Sequence, residues 1–349
     1  NGDVGSGKTL VFLIALAAIA KASGERVAVL VPSDLVARQI HANAVQRFPD
    51  LAPCLVSGDP SVDASADALA SSRMFIGTQA LLSRELPVME AVVVDEQHKL
   101  SVEQRGALLC EHTHVIEASA TPIPRTLALA LFDGWTYAVI KHSPVQKTIH
   151  SHVYDQDRRN DVRLLIKEHL QSGKKVVFLY PEVGGNGKSV AKSAKALSER
   201  FPGKVAMLHG KLKPAQKIAA LEQFRAGSCP IIVASTAIEV GVDVPDVGLM
   251  VVSGADRFGA SQLHQLRGRL VRNGGKGDFA MIAPKEISEV TRKRLQAVAD
   301  HSDGFSLAQK DMELRGFGEL LGEMQTGSAT TTFKLSRLTA QDFLQCRQI

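Results

Sequence analysis

Gly2-Asp3-Val4-Gly5-Ser6-Gly7-Lys8-Thr9 satisfies G-x-x-x-x-G-K-[ST] at each specified position, and an apolar run from Leu10 to Ala20 follows at once. The spacing has a physical reason. Gly2, Gly5 and Gly7 allow backbone N–H groups to converge on phosphate oxygens, and the following helix offers its positive N-terminus. Lys8 would reach the β- and γ-phosphates of ATP, and Thr9 would supply a hydroxyl to Mg²⁺. A helix over Thr9 to Lys21 is expected, apolar almost all round and therefore enclosed between sheet layers.

Outward from the loop, short runs rich in Val, Ile and Leu alternate with longer helical patterns, the signature of a parallel α/β sheet buried on both faces. The runs are Val27–Val31, Met74–Gly77, Ala91–Val94 and His114–Ala118 in one half, and Lys175–Tyr180, Val205–His209, Pro230–Ala234, Leu249–Ser253 and Phe279–Ile282 in the other. A polar stretch with Pro144, from Lys141 to Thr148, reads as the seam, and beyond about residue 285 charged helical segments replace the strands. The run Ala91–Val94 delivers Asp95 and Glu96 to its C-terminal end, where α/β sheets bind ligands. Such a pair can merely begin a turn. With the loop upstream it reads as the acidic half of a nucleotide site, Asp95 on Mg²⁺ and Glu96 orienting the attacking water. A second glycine-rich stretch, Gly184 to Ser189, has Glu182 where a phosphate loop needs glycine, and it reads as a flexible loop before a helix.

Composition narrows the setting. The 349 residues, 45% hydrophobic and 22% charged, suit two globular domains. The longest apolar run falls short of the roughly 20 residues that span a bilayer, so no membrane is expected. Four scattered cysteines, Cys54, Cys110, Cys229 and Cys346, match no metal spacing and suit a reduced, cytoplasmic chain. The net charge of +5 is unevenly spread: residues 1–141 carry 11 Lys and Arg against 15 Asp and Glu, leaving 30 against 21 for the remainder. An acidic half joined to a basic one fits a protein that meets a polyanion through its second part, although an ordinary solvated surface also fits.

Further motifs carry a family resemblance. Asp95-Glu96-Gln97-His98 resembles the second motif of superfamily-two helicases in its RecG-type variant, and Ser119-Ala120-Thr121-Pro122 resembles the third. Val233 to Pro245 is similar to the fifth motif and Gln262 to Arg272 to the sixth, while His209-Gly210-Lys211 looks like a DNA-backbone loop. Asp303 to Gly322 resembles the translocation motif of RecG and of the transcription-repair coupling translocase.

The resemblance implies two RecA-like P-loop NTPase lobes with mainly parallel sheets, at 1–142 and 143–288, followed by a helical translocation element at 289–349. It implies that Gly241, Asp243 and Gln265 face the nucleotide and that Arg269 and Arg272 act as fingers from the second lobe. Ser119, Thr121, His209, Lys211, Ser235 and Thr236 would contact or sense DNA, and Gln309 and Arg315 would transmit movement. The implied activity is ATP-driven translocation on duplex and branched DNA, such as stalled forks and Holliday junctions, in recombination and repair. The implied setting is a monomer in the bacterial cytoplasm, with single-stranded DNA-binding protein as a further partner. A coupling-type duplex translocase and a decayed DNA-binding module are the alternatives.

The sequence departs from the family pattern in four respects. Lys99-Leu100-Ser101 replaces an aromatic-glycine run, and Val271 stands where glycine is usual, before Arg272. The family's adenine-recognition segment and wedge domain have no counterpart in these residues, so the sequence is expected to be part of a longer protein.

Overall fold

The computed structural model describes residues 1–58, 64–84, 86–95, 112–119, 136, 138–140, 145–181, 188–235 and 246–315. It contains two parallel sheets. The first holds β1 (Arg26–Leu30), β2 (Cys54–Val56), β3 (Met74–Gly77), β4 (Met89–Asp95) and β5 (His114–Ala118), in the order β2-β3-β1-β4-β5. The second holds β6 (Lys147–Asp155), β7 (Lys175–Tyr180), β8 (Val205–Leu208), β9 (Ile231–Ser235), β10 (Val247–Ser253) and β11 (Gly275–Ala283), in the order β6-β11-β10-β7-β9-β8. Each described ladder is parallel, so crossover helices must cover both faces.

The apolar runs become strands because their alternate residues enter two different cores. In β1, Val27 and Val29 pack on one face while Ala28 and Leu30 pack on the other. In β10, Met250 and Val252 divide in the same way from Leu249 and Val251. The first sheet carries α1 (Lys8–Ser23), α2 (Asp34–Arg47) and α3 (Ala66–Ser71). The second carries α4 (Arg159–Gln171), α5 (Lys188–Ser198), α6 (Pro214–Ala226) and α7 (Ala260–Arg267), and then α8 (Glu289–Asp300) and α9 (Gly304–Arg315). Leu295, Val298 and Leu307 of these last two helices share the core of the second sheet.

The structure differs from the sequence expectation at α1 and at two strands. Helix α1 is not enclosed: Phe12, Leu13, Leu16, Ala17 and Ala20 are buried, but Val11 and Ile14 are 53% and 51% exposed among the described residues. It lies on one sheet face, so only one stripe is covered. Strand β6 is not among the expected strands and begins at Lys147, at the end of the polar stretch expected to connect the halves. As an edge strand paired, among the described residues, with β11 alone, β6 has largely alternating exposure and lacks the continuous apolar run of a central strand. Strand β2 is also absent from the hydropathy pattern, at only three residues. The glycine-rich stretch at 182–187 lies outside the described residues.

Candidate nucleotide cleft

The phosphate loop folds as its glycines require. Gly5 and Gly7 have φ of 82° and 85°, in the left-handed region that side chains resist. Gly7 directly precedes α1, and no side chain caps the first turn of that helix. Lys8 Nζ donates to the carbonyls of Gly2 (2.6 Å) and Asp3 (2.8 Å), so the ammonium lies over the loop. Ser6 Oγ is buried with no hydrogen-bond partner among the described residues. A glycine-built turn, an uncapped helix start, an ammonium and an orphaned hydroxyl fit a phosphate chain. Thr9 is half-buried in the first turn of α1, where its hydroxyl could meet a phosphate-bound cation.

The acidic strand ends beside this loop. Asp95 closes β4 in register with Ala118 of β5, and the next residue, Ser119, accepts a hydrogen bond at its carbonyl from Gly2 N (3.3 Å). Asp95, Ser119 and the phosphate loop therefore share one edge of the first sheet. Glu96, Thr121, Thr236, Gly241 and Asp243 lie outside the described residues.

The opposite wall of the cleft is the sixth-motif segment. His264 Nε2 meets Asp3 Oδ1 at 2.5 Å. Lys147 Nζ donates to the carbonyl of Gly268 (2.9 Å) and reaches that of Val4 at 3.5 Å. Burial lowers the Lys147 pKa, the Asp3 carboxylate opposes this, and the positive charges of Arg272 and Arg267 lower it further. That coupling puts the Arg272 guanidinium near the same junction. Gln265, Arg269 and Arg272 are half-buried on this segment. Val271 has φ 43°, so a β-branched residue occupies the left-handed conformation that explains the usual glycine.

Burial pushes the Asp3 carboxyl up, but the hydrogen bond and charge of His264 and the N–H groups of Val4 and Gly304 outweigh it, and its pKa falls to about 2. Nothing in the sequence marks Asp3, Lys147, His264 and Arg267 as functional. They belong to no spacing rule, and their only signal is that distant residues meet.

The remaining candidates lie away from the loop. His209 follows β8 and Ser235 ends β9, in neighbouring strands that pair Leu208 with Ala234. Both carry buried polar atoms, His209 Nδ1 and Ser235 Oγ, with no hydrogen-bond partner among the described residues. Lys211 and Gln309 are exposed, and Arg315 ends α9, with its side chain outside the described set. The C-terminal ends of β1, β2 and β3 frame a groove of about 430 Å³ lined by Ser33, Asp34, Ser57, Gly58, Thr78 and Gln79. Leu35, next to Asp34, packs against the second lobe's core, so the groove adjoins that lobe. Turn residues after three separate strands gave no sequence pattern that pointed to it.

Comparison with known proteins agrees with this geometry. Residues 1–130 match the DEAD/DEAH box helicase model and residues 147–274 the helicase conserved C-terminal domain. Together with the two parallel sheets, these matches define the fold class, two RecA-like lobes of the kind found in helicases. The chain is similar to RecG helicases over nearly all of its length. It is 36% identical to the ATP-dependent DNA helicase RecG of Aquifex aeolicus, over 94% of this chain and 44% of that protein. It is 37% identical to the RecG of Escherichia coli K12, over 97% of this chain and 52% of that one. A structure of RecG bound to a three-way DNA junction superposes with TM-score 0.71 and 28% identity, covering 99% of this chain and 46% of that one. Yeast Dbp5 bound to RNA and ADP BeF3, at 16% identity and TM-score 0.65, shares the fold. The chain thus spans about half the length of the curated relatives it matches. No helix among the described residues is long and apolar enough to cross a membrane.

Proposed function

We propose that this chain is an ATP-driven DNA motor that translocates on duplex DNA and remodels branched DNA in recombination and repair. The observation that carries the reading is the meeting of the phosphate loop with the sixth-motif segment, Asp3 with His264 and Val4 with Gly268. A site built from two lobes ties chemistry to their relative movement.

In this reading Lys8 leaves the loop carbonyls for the β- and γ-phosphates, and backbone N–H groups of the loop hold the same oxygens. Thr9 and Asp95 would hold Mg²⁺, which would supply charge neutralisation to the phosphate chain. Glu96 orients the attacking water in line with the leaving oxygen. Arg269 and Arg272, with Gln265, Gly241 and Asp243, complete the site from the second lobe; such an arginine is worth about 10³–10⁵ in rate. Ser119 and Thr121, beside the acidic strand, would sense the same state.

DNA would be held by backbone contacts to Ser235, Thr236, His209 and Lys211, supported by the orphaned polar atoms of His209 and Ser235. The groove of Ser33, Ser57 and Thr78 offers hydroxyls for the same strand. Gln309 and Arg315 on α9 would pass lobe movement to the duplex. A monomer in the bacterial cytoplasm, with single-stranded DNA-binding protein as a partner, completes the proposal.

ATP turnover with and without a synthetic junction, beside Lys8→Ala, tests this reading. Turnover that rises with DNA and disappears in the variant is expected, and DNA-independent turnover that survives in the variant overturns it. The coupling-type alternative differs in one respect, since translocation without strand displacement on a fork would favour it.

A further inference from the structure

Asp3 occupies a variable position of the phosphate loop, and an anion there is unfavourable beside a triphosphate. Its carboxylate is committed elsewhere. Oδ1 accepts from the N–H of Val4 (2.6 Å) and from His264 Nε2 (2.5 Å), and Oδ2 accepts from the N–H of Gly304 (3.2 Å). One side chain therefore joins the loop, helix α7 and the first turn of α9.

The network behind His264 is buried and has a defined direction. Arg267 Nη2 lies 2.8 Å from His264 Nδ1 and also donates to the carbonyl of Ser302 (3.0 Å), while Nη1 donates to that of Val298 (2.5 Å). A guanidinium only donates, so Nδ1 is the acceptor and Nε2 carries the proton given to Asp3. Donation runs from Arg267 through His264 to Asp3, with His264 and Arg267 3% and 4% exposed. Such a chain is either made or broken, as an element with two discrete arrangements must be.

The other end of Asp3 is held by Lys8, whose ammonium donates to the Asp3 carbonyl at 2.8 Å. Turning Lys8 towards phosphate removes that tether from the very residue that holds α7 and α9. We propose that Asp3 is a positioning residue that relays occupancy of the phosphate loop to the sixth-motif helix and to the start of α9. The relay rests on the reading of the loop as an ATP site. It gives the nucleotide a route to α9 that bypasses the arginine fingers, and it accounts for a buried histidine whose two ring nitrogens are taken by Asp3 and Arg267.

Amide hydrogen exchange over residues 303–307, with and without Mg²⁺ and a non-hydrolysable ATP analogue, tests the relay on the full chain. Wild type is expected to change exchange there at least threefold on binding. Asp3→Asn loses the carboxylate that accepts from Gly304 and is expected to abolish the response while the analogue still binds. His264→Gln retains an N–H able to reach Asp3 and should keep at least half of the response. If Asp3→Asn does not fold, His264→Ala removes one of the two links that tie the carboxylate to the second lobe, leaves the one to Gly304, and must cut the response by at least half. A full response in Asp3→Asn, or more than half of it in His264→Ala where that variant stands in, overturns the relay, as does a silent α9 in wild type with analogue bound. Failure of wild type to bind the analogue instead overturns the ATP reading, and the relay with it.

Discussion

Gly268 lies so close to Val4 that a Cβ added at 268 would fall 2.7 Å from Val4 Cγ1 and 2.8 Å from Cγ2. The second lobe can therefore meet the phosphate loop only because residue 268 has no side chain. Gly268→Ala must push the lobes apart or displace the loop, at a cost of about 1–3 kcal/mol where the junction is tight. ATP turnover is expected to fall more than tenfold, with circular dichroism unchanged. Steady-state kinetics beside a melting curve checks this, and wild-type turnover would show that the loop and second lobe do not close on each other in solution.

Acid should act on the same junction. The Asp3 pKa lies near 2 in the folded chain against an ordinary 3.8, so the carboxylate stabilises the fold above its unfolded pKa and loses this as pH falls through the folded value. With a third of the side chain exposed, the contribution is on the order of 1 kcal/mol after solvent screening. Urea melts between pH 5 and about 2 should show a loss in wild type that is smaller in Asp3→Asn. Identical slopes in the two proteins would remove Asp3 from the stabilising set.

Val271 combines two opposing effects. Its left-handed backbone costs roughly 1–2 kcal/mol for a residue with a Cβ. Its side chain is 4% exposed, and burying a valine contributes roughly 1.5–3 kcal/mol. Val271→Gly is therefore expected to destabilise by about 1 kcal/mol while ATP turnover stays within threefold of wild type. Thermal melting and kinetics together decide it, and a large gain in turnover would mean that Val271 misdirects Arg272.

DNA binding should weaken steeply with salt, because contacts to phosphates release counterions. Between 50 and 200 mM salt, affinity for a junction is expected to fall at least tenfold, as roughly three or more neutralised phosphates require. Fluorescence anisotropy reads this directly. A salt-independent affinity would remove backbone recognition from the proposal.

The phosphate loop, the acidic strand and the core strands were legible in the sequence because each is a local pattern. G-x-x-x-x-G-K-T encodes backbone conformations within eight residues, and Val92-Val93-Val94 before Asp95 encodes a strand buried on both faces. Edge strand β6 is hidden in the sequence because an edge needs little apolar character, and the composition of α1 suggests an enclosed helix because it does not reveal how many layers cover it. The sequence by itself thus determined the two-lobe class and the local conformation of the phosphate loop. Only the tertiary structure decided that Asp3 meets His264 and Gly304, that Lys147 bridges Val4 and Gly268, and that Val271 bends the left-handed way. Those relationships join residues up to 301 positions apart, and no periodicity or spacing can record a contact made only when two separately folded sheets close on each other.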